Sequence, residues 1–299
     1  MIERAIRVFA PAKVNLYLGV HAQTDARGYH RVDSVMAALD LTDTVTVAPA
    51  SDSTLTVRMR PNLDVATERN TAHRAAAALG RAFGRKPCVE IEVEKRIPIR
   101  AGLGGPSADA AAVIVGMCRA WGIDPADERV RATARGIGAD VPFLLSGALV
   151  YCDEAGDRPA EIFEPLGGLA VALVKPISTG VTAAEAYARF DRAPVPPAPI
   201  DPMLEALREH DGAGVARHIS NNLRAASCEL DPQIGHVLEW MRSRSEARAV
   251  ELTGSGSCVY ALCDTIETAD AIAIAAERER GWWSCAAKMK KSRLSASDV

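Results

Sequence analysis

Apolar and polar residues alternate over residues 12–20, with Val14, Leu16, Leu18 and Val20 on one side and Lys13, Asn15 and Tyr17 on the other. A period of two predicts a β-strand whose apolar face packs inward and whose opposite face carries Lys13 beside Asn15. A lysine so placed is ordinarily solvated. Arg27-Gly28-Tyr29-His30 then reads as a turn followed by two rings. Shorter alternations predict strands near residues 44–47, 55–59 and 89–93, and residues 70–83 space their alanines for a helix that Asn70 caps.

After the strand at 89–93 the pattern changes. Gly102, Gly104 and Gly105 interrupt it, and Ala110, Ala111, Val113, Ile114, Val115, Met117, Cys118 and Trp121 follow with almost no polar face. That order predicts a strand, a glycine loop and a buried helix. Pro106 suits the first helical position, and Asp109 is expected in the first turn, where a carboxylate favours the positive end of the helix dipole. A second helix is expected over 125–135, ending at Gly136 and Gly138. Asp140 then stands between glycine and the apolar run Val141-Pro142-Phe143, where a carboxylate is either a helix cap or a functional group.

The turn-rich stretch 152–159 predicts a boundary between domains at 1–153 and 154–299. Beyond it the pattern predicts a strand at 169–174, helices near 202–210, 213–220, 232–244 and 265–280, and a strand at 283–289. Residues 193–202 are too proline-rich for helix or central strand and read as a surface linker. Thr253-Gly254-Ser255-Gly256-Ser257 lies between two strands, at 250–252 and 259–262, and by itself suggests a hairpin turn. Residues 290–299 are expected to fray.

Composition narrows the chemistry. The 299-residue chain is 48% hydrophobic and 24% charged, as in ordinary globular proteins, and its net charge of −3 offers no basic footprint for nucleic acid. Seven cysteines without C-x-x-C spacing read as buried thiols in a reducing compartment, which predicts a cytoplasmic protein. No apolar run reaches the ~18 residues that would span a membrane, and residues 1–13 lack a signal-like apolar core.

The glycine loop at 98–108 opens onto a helix N-terminus, a setting that favours phosphate. It lacks the Gly-Lys-Ser/Thr of a Walker loop, and Ser107 stands where a dinucleotide fingerprint has its third glycine. A tight turn that binds nothing needs the same glycines.

Three ordered stretches together are similar to the motifs of the GHMP small-molecule kinases. They are Pro11-Ala12-Lys13-Val14-Asn15-Leu16, Gly102-Leu103-Gly104-Gly105-Pro106-Ser107 and Leu252-Thr253-Gly254-Ser255-Gly256. Within that superfamily, Gly28-Tyr29-His30, Arg69-Asn70, Lys95-Arg96-Ile97-Pro98, Gly138-Ala139-Asp140-Val141-Pro142 and Asn222-Leu223 most resemble the branch acting on a cytidine diphosphate sugar alcohol. The resemblance covers nearly the whole chain.

It implies an α+β fold of two halves, the first like ribosomal protein S5 domain 2 and the second ferredoxin-like. It also implies ATP-dependent phosphorylation of a tertiary hydroxyl in the non-mevalonate isoprenoid pathway, with magnesium accompanying ATP and no evident protein ligand for the metal. By the matching positions, Asp140 is the base and Lys13 its charged neighbour. Asn70, Lys95, Pro98, Ala101, Gly102, Leu103, Gly104, Gly105, Pro106, Ser107 and Ala108 face the nucleotide. Asn15, Tyr29, His30, Gly254 and Ser255 face the substrate. Arg100 and Pro106 stand where the family loop usually has glycine, Arg27 where it has aspartate, and Asn221-Asn222-Leu223 replaces Asn-Asp-Leu. Mevalonate or homoserine kinases of the same superfamily, and a non-catalytic binding protein on the same fold, are the alternatives.

Overall fold

The computed structural model describes residues 4–52, 54–63, 65–167, 169–290, 294 and 296–298. The alternation seen at 12–20 extends both ways into β1 (Ile6–Thr24), which pairs antiparallel with β2 (His30–Pro49) along nearly its whole length. β3 (Leu55–Arg60) and α1 (Thr71–Ala82) follow, and Asn70 caps α1 by accepting the Ala72 N–H at 2.9 Å. Next come β4 (Val89–Glu94), α2 (Gly105–Trp121), α3 (Glu128–Ile137), α4 (Asp140–Ser146), β5 (Leu149–Asp153) and β6 (Arg158–Ile162).

The rest comprises β7 (Ala170–Lys175), α5 (Ala183–Phe190), α6 (Asp201–Arg208), α7 (Gly212–His218), β8 (Ser220–Asn221), α8 (Arg224–Leu230) and α9 (Pro232–Arg242). β9 (Ala249–Leu252), β10 (Val259–Cys263), α10 (Ile266–Arg280), β11 (Trp283–Lys288) and β12 (Ala296–Asp298) complete it.

Two sheets organise these elements. One runs β12-β1-β2-β4-β3, with β5 and β6 branching from β2 and β8 parallel to β1; the other runs β11-β7-β10-β9. The boundary expected after Asp153 falls between β5 and β6, both in the first sheet, and β8 and β12 return to that sheet from the later half. α2 lies against β1 and β2 with every residue from Ala108 to Cys118 buried, as its apolar sequence requires.

Several expectations change. The second face of β1 is not solvated: Lys13, Asn15 and Tyr17 are each 4% exposed or less, because the second lobe covers them. Irregularities between Pro11 and Lys13 and between Asn15 and Tyr17 bracket the two polar residues, and such bulges re-aim side chains. Asp109 lies beyond the first turn of α2, which begins at Gly105 and carries no acid there. Part of the tail expected to fray is β12, whose Ala296 and Ser297 pair with Val8 and Arg7; residues 291–293, 295 and 299 lie outside the described residues. The proline-rich stretch stays at the surface but is tied down, since Tyr17 donates to the Ala198 carbonyl and Asn222 to that of Val195.

Candidate active site

Two glycine loops and β1 meet at one point. The Lys13 N–H donates to the Leu103 carbonyl at 3.0 Å, which docks the first loop on β1. The Ser257 N–H reaches the Arg100 carbonyl at 3.3 Å and the Cys258 N–H that of Ala101 at 3.1 Å, which dock the same loop on the second lobe. Asn15 joins the parts: its Oδ1 accepts from Lys13 Nζ at 2.6 Å and the Gly254 N–H at 2.9 Å, and its Nδ2 donates to Ser34 Oγ at 2.9 Å. Asn221 holds the second loop by donating to the carbonyls of Leu252 and Gly254 at 2.9 and 2.8 Å.

Lys13 Nζ lies 3.6 Å from Asp140 Oδ2, with the lysine side chain 5% and the aspartate 29% exposed. Asp140 is the first residue of α4, with Ala139 rather than Asp140 at the N-cap position, and its partly exposed carboxylate lies beside a buried cation. That pair can take a proton from a hydroxyl and steady negative charge next to it.

Gly102 and Gly104 both have φ +72°. A Cβ on Gly102 would lie 2.0 Å from the Thr253 carbonyl oxygen, and one on Gly104 would lie 2.9 Å from Lys13 Cγ, so these glycines are required by close approach as well as by conformation. Arg100 adopts φ +50° without being glycine. At the start of α2, Gly105 and Ser107 have N–H groups without intrahelical acceptors, and Pro106 has none to offer. The Ala108 N–H is bonded to the Gly104 carbonyl at 2.9 Å, and Ala101, Leu103 and Ala108 are buried, so these three shape the loop from behind. Pro98 opens the loop half-buried, and Ser255 sits partly exposed in the second loop.

Lys95 sits in an ion-pair cluster beside the glycine loop. Its Nζ bonds Asp43 and, at 2.7 Å, Asp109 Oδ2, while Asp43 also accepts the N–H groups of Arg96 and Ile97 at 2.5 and 2.8 Å. Burial pushes the Asp109 carboxyl well above the ordinary carboxylate range, and Lys95 opposes that rise. The triad braces the approach to the glycine loop from below, with Lys95 Nζ 3.4 Å from where a Gly105 Cβ would be. Lys95→Met would leave two buried carboxylates without a cation and should cost about 3–5 kcal/mol of stability, measured by urea unfolding. A loss under about 1 kcal/mol would mean the triad is not a structural brace.

Asn70 is buried behind its cap bond and lines a cleft of about 330 Å³ with Val57, Met59, Leu63, Val65 and Thr67. Tyr29 is 60% exposed at the tip of the β1–β2 hairpin. His30 is enclosed: Nδ1 faces the His21 carbonyl at 2.8 Å and Nε2 faces Asp191 Oδ1 at 3.0 Å, so neither nitrogen points freely into the cleft. Its ring lies against Tyr187 and Phe190 of α5, at 5.5 and 5.9 Å between centroids. Burial, with the Asp140 charge adding, raises the Tyr187 hydroxyl. Tyr187 joins His30 and Phe190 in one ring cluster. No motif in the sequence around α5 announces this contact, because it depends on how α5 folds against the β1–β2 hairpin.

Sequence and fold match known proteins. Residues 70–148 match the GHMP kinases N terminal domain and residues 203–280 the GHMP kinases C terminal domain. A 4-diphosphocytidyl-2-C-methyl-D-erythritol kinase of Nocardioides sp. is 35% identical over 275 residues, covering 88% of this chain and 90% of that one. One of Geobacillus sp. is 34% identical over 85% of this chain and 87% of its own. The crystal structure of a 4-(cytidine 5'-diphospho)-2C-methyl-D-erythritol kinase superposes with a TM-score of 0.75 at 31% identity, over 95% of this chain and all of the other. A homoserine kinase from Cytophaga hutchinsonii superposes at 0.78 with 18% identity, over 100% of this chain and 98% of that one, which shows a shared fold and leaves the substrate open. The two-lobed α+β architecture is thus that of the GHMP kinases, and by sequence the chain belongs to their 4-diphosphocytidyl-2-C-methyl-D-erythritol kinase family.

Proposed function

We propose that this chain transfers the γ-phosphoryl group of ATP to the 2-hydroxyl of 4-diphosphocytidyl-2-C-methyl-D-erythritol, the compound whose kinase its relatives are named for. It is a small-molecule kinase with an alcohol as acceptor. The observation that carries the mechanism is the meeting of Lys13, Asp140 and both glycine loops around Asn15. Asp140 takes the hydroxyl proton as the oxygen attacks the γ-phosphorus, and ADP leaves with the electrons of the broken P–O bond. Lys13 steadies charge on the group in flight, and the N–H groups of Gly105 and Ser107 hold phosphate at the positive end of α2. Asn70 and its cleft receive the nucleoside end of ATP.

Magnesium would accompany the ATP phosphates and neutralise part of their charge. Among the described residues no three His, Cys, Asp or Glu side chains cluster to hold a metal ion, and Asp140 already faces Lys13. No helix among the described residues is long and apolar enough to cross a membrane. None of the seven cysteines is in a disulfide, which suits the proposed cytoplasmic location.

Tyr29, 60% exposed, offers its ring to the cytosine, and the next residue, His30, packs against Tyr187 and Phe190. An aromatic stack on a base is worth ~1–3 kcal/mol, so Tyr29→Ala should weaken the cytidylyl substrate roughly ten-fold or more. The change should appear in KM, because the ring is remote from the reacting oxygen and serves ground and transition states alike. ATP consumption measured with the cytidylyl substrate, with mevalonate and with homoserine tests the assignment. Preference for either of the last two would remove the substrate reading and leave a GHMP kinase of other specificity.

A further inference from the structure

The turn that carries Tyr29 is held by charges the phosphoryl transfer does not use. Asp25 Oδ1 accepts the N–H groups of Arg27 and Tyr29 at 2.8 and 3.0 Å, and the Asp25 N–H reaches the Tyr29 carbonyl at 2.7 Å, closing the loop on itself. Arg27 Nε bonds Asp25 Oδ2 at 2.7 Å, while its Nη1 reaches Asp157 Oδ2 at 3.2 Å. Asp157 belongs to the β5–β6 turn, is 5% exposed, and is held from the other side by Arg135 of α3 at 3.3 Å. The guanidinium is thereby fixed between two carboxylates from separate hairpins. Its carbon lies over the Tyr29 ring, 5.2 Å from the centroid.

We infer that Arg27 is a positioning residue for the pyrimidine end of the substrate, a fixed plate that orients the Tyr29 ring. The inference rests on the reading of Tyr29 as the cytosine platform. Three features support it. A cation within about 6 Å of an aromatic centroid is attracted to the ring face. An exposed tyrosine loses side-chain freedom when a base stacks on it, so a ring already held in place binds with less ordering cost. The bond from Arg27 to Asp157 ties the turn that carries Tyr29 to the neighbouring β5–β6 turn, which restrains the guanidinium over the ring.

Steady-state kinetics on the full chain test the idea. Arg27→Gln should raise KM for the cytidylyl substrate about two- to five-fold, with kcat and the KM for ATP unchanged. Arg27→Lys, which keeps the charge over the ring but not the fork, should fall between the two. In a Tyr29→Ala background, Arg27→Gln should add nothing, because the arginine acts only through the ring. An unchanged KM for Arg27→Gln alongside a raised one for Tyr29→Ala would overturn the role of Arg27 and leave the platform intact. Additive effects in the double variant would overturn it too, since the arginine would then touch the substrate itself. No effect of Tyr29→Ala would remove the platform reading, and this inference with it.

Discussion

Asp140→Asn should lower kcat on the order of 10²-fold or more while ATP still binds, the range expected when a general base is removed. The substitution keeps side-chain shape and leaves the Lys13–Asn15 hydrogen bond of 2.6 Å in place, so the loops that depend on Asn15 have no reason to move. What it removes is the proton acceptor 3.6 Å from Lys13 Nζ. A base acts as the bond forms, so kcat and kcat/KM should fall together. Single-turnover rates, with nucleotide affinity from calorimetry, check this. Turnover within a few-fold of the parent would take the base away from Asp140.

Gly102→Ala should be nearly as damaging, for a mechanical reason. The added Cβ would lie 2.0 Å from the Thr253 carbonyl oxygen, and that oxygen is backbone, so one loop must move away from the other. Thr253 precedes Gly254, whose N–H holds Asn15, which in turn holds Lys13. A shift of about 1 Å at a catalytic group can cost 10²-fold in rate, and kcat/KM should drop by roughly that amount. Gly122→Ala is the control. It has a similar φ of +63° with nothing within 4 Å of the new Cβ, so it carries the left-handed strain alone, about 1–2 kcal/mol. Equal kinetic losses in the two variants would show that strain, rather than the contact between the loops, is responsible.

Local chemistry determined a good part of this protein. The glycine loop, the helix behind it and the Asn70 cap follow from residues close in sequence: glycines that admit positive φ, a proline at the start of the helix, and an apolar run too uniform to face water. The paired strands around Gly254 are legible for the same reason. The length of β2 is not, because residues 32–39 are buried on both sides and show no alternation to read. Only the tertiary structure decided the fates of the charges. Lys13 alternates like a solvated residue and is buried because the second lobe closes over β1. Lys95, which the family resemblance puts near the nucleotide, joins Asp43 to Asp109, 52 and 14 residues away. Asn15 meets Gly254 across 239 positions, and Arg27 meets Asp157 across 130. Periodicity reports which face of an element is apolar, whereas the partner of a charge depends on what folds against that face, and here the partners come from distant parts of the chain.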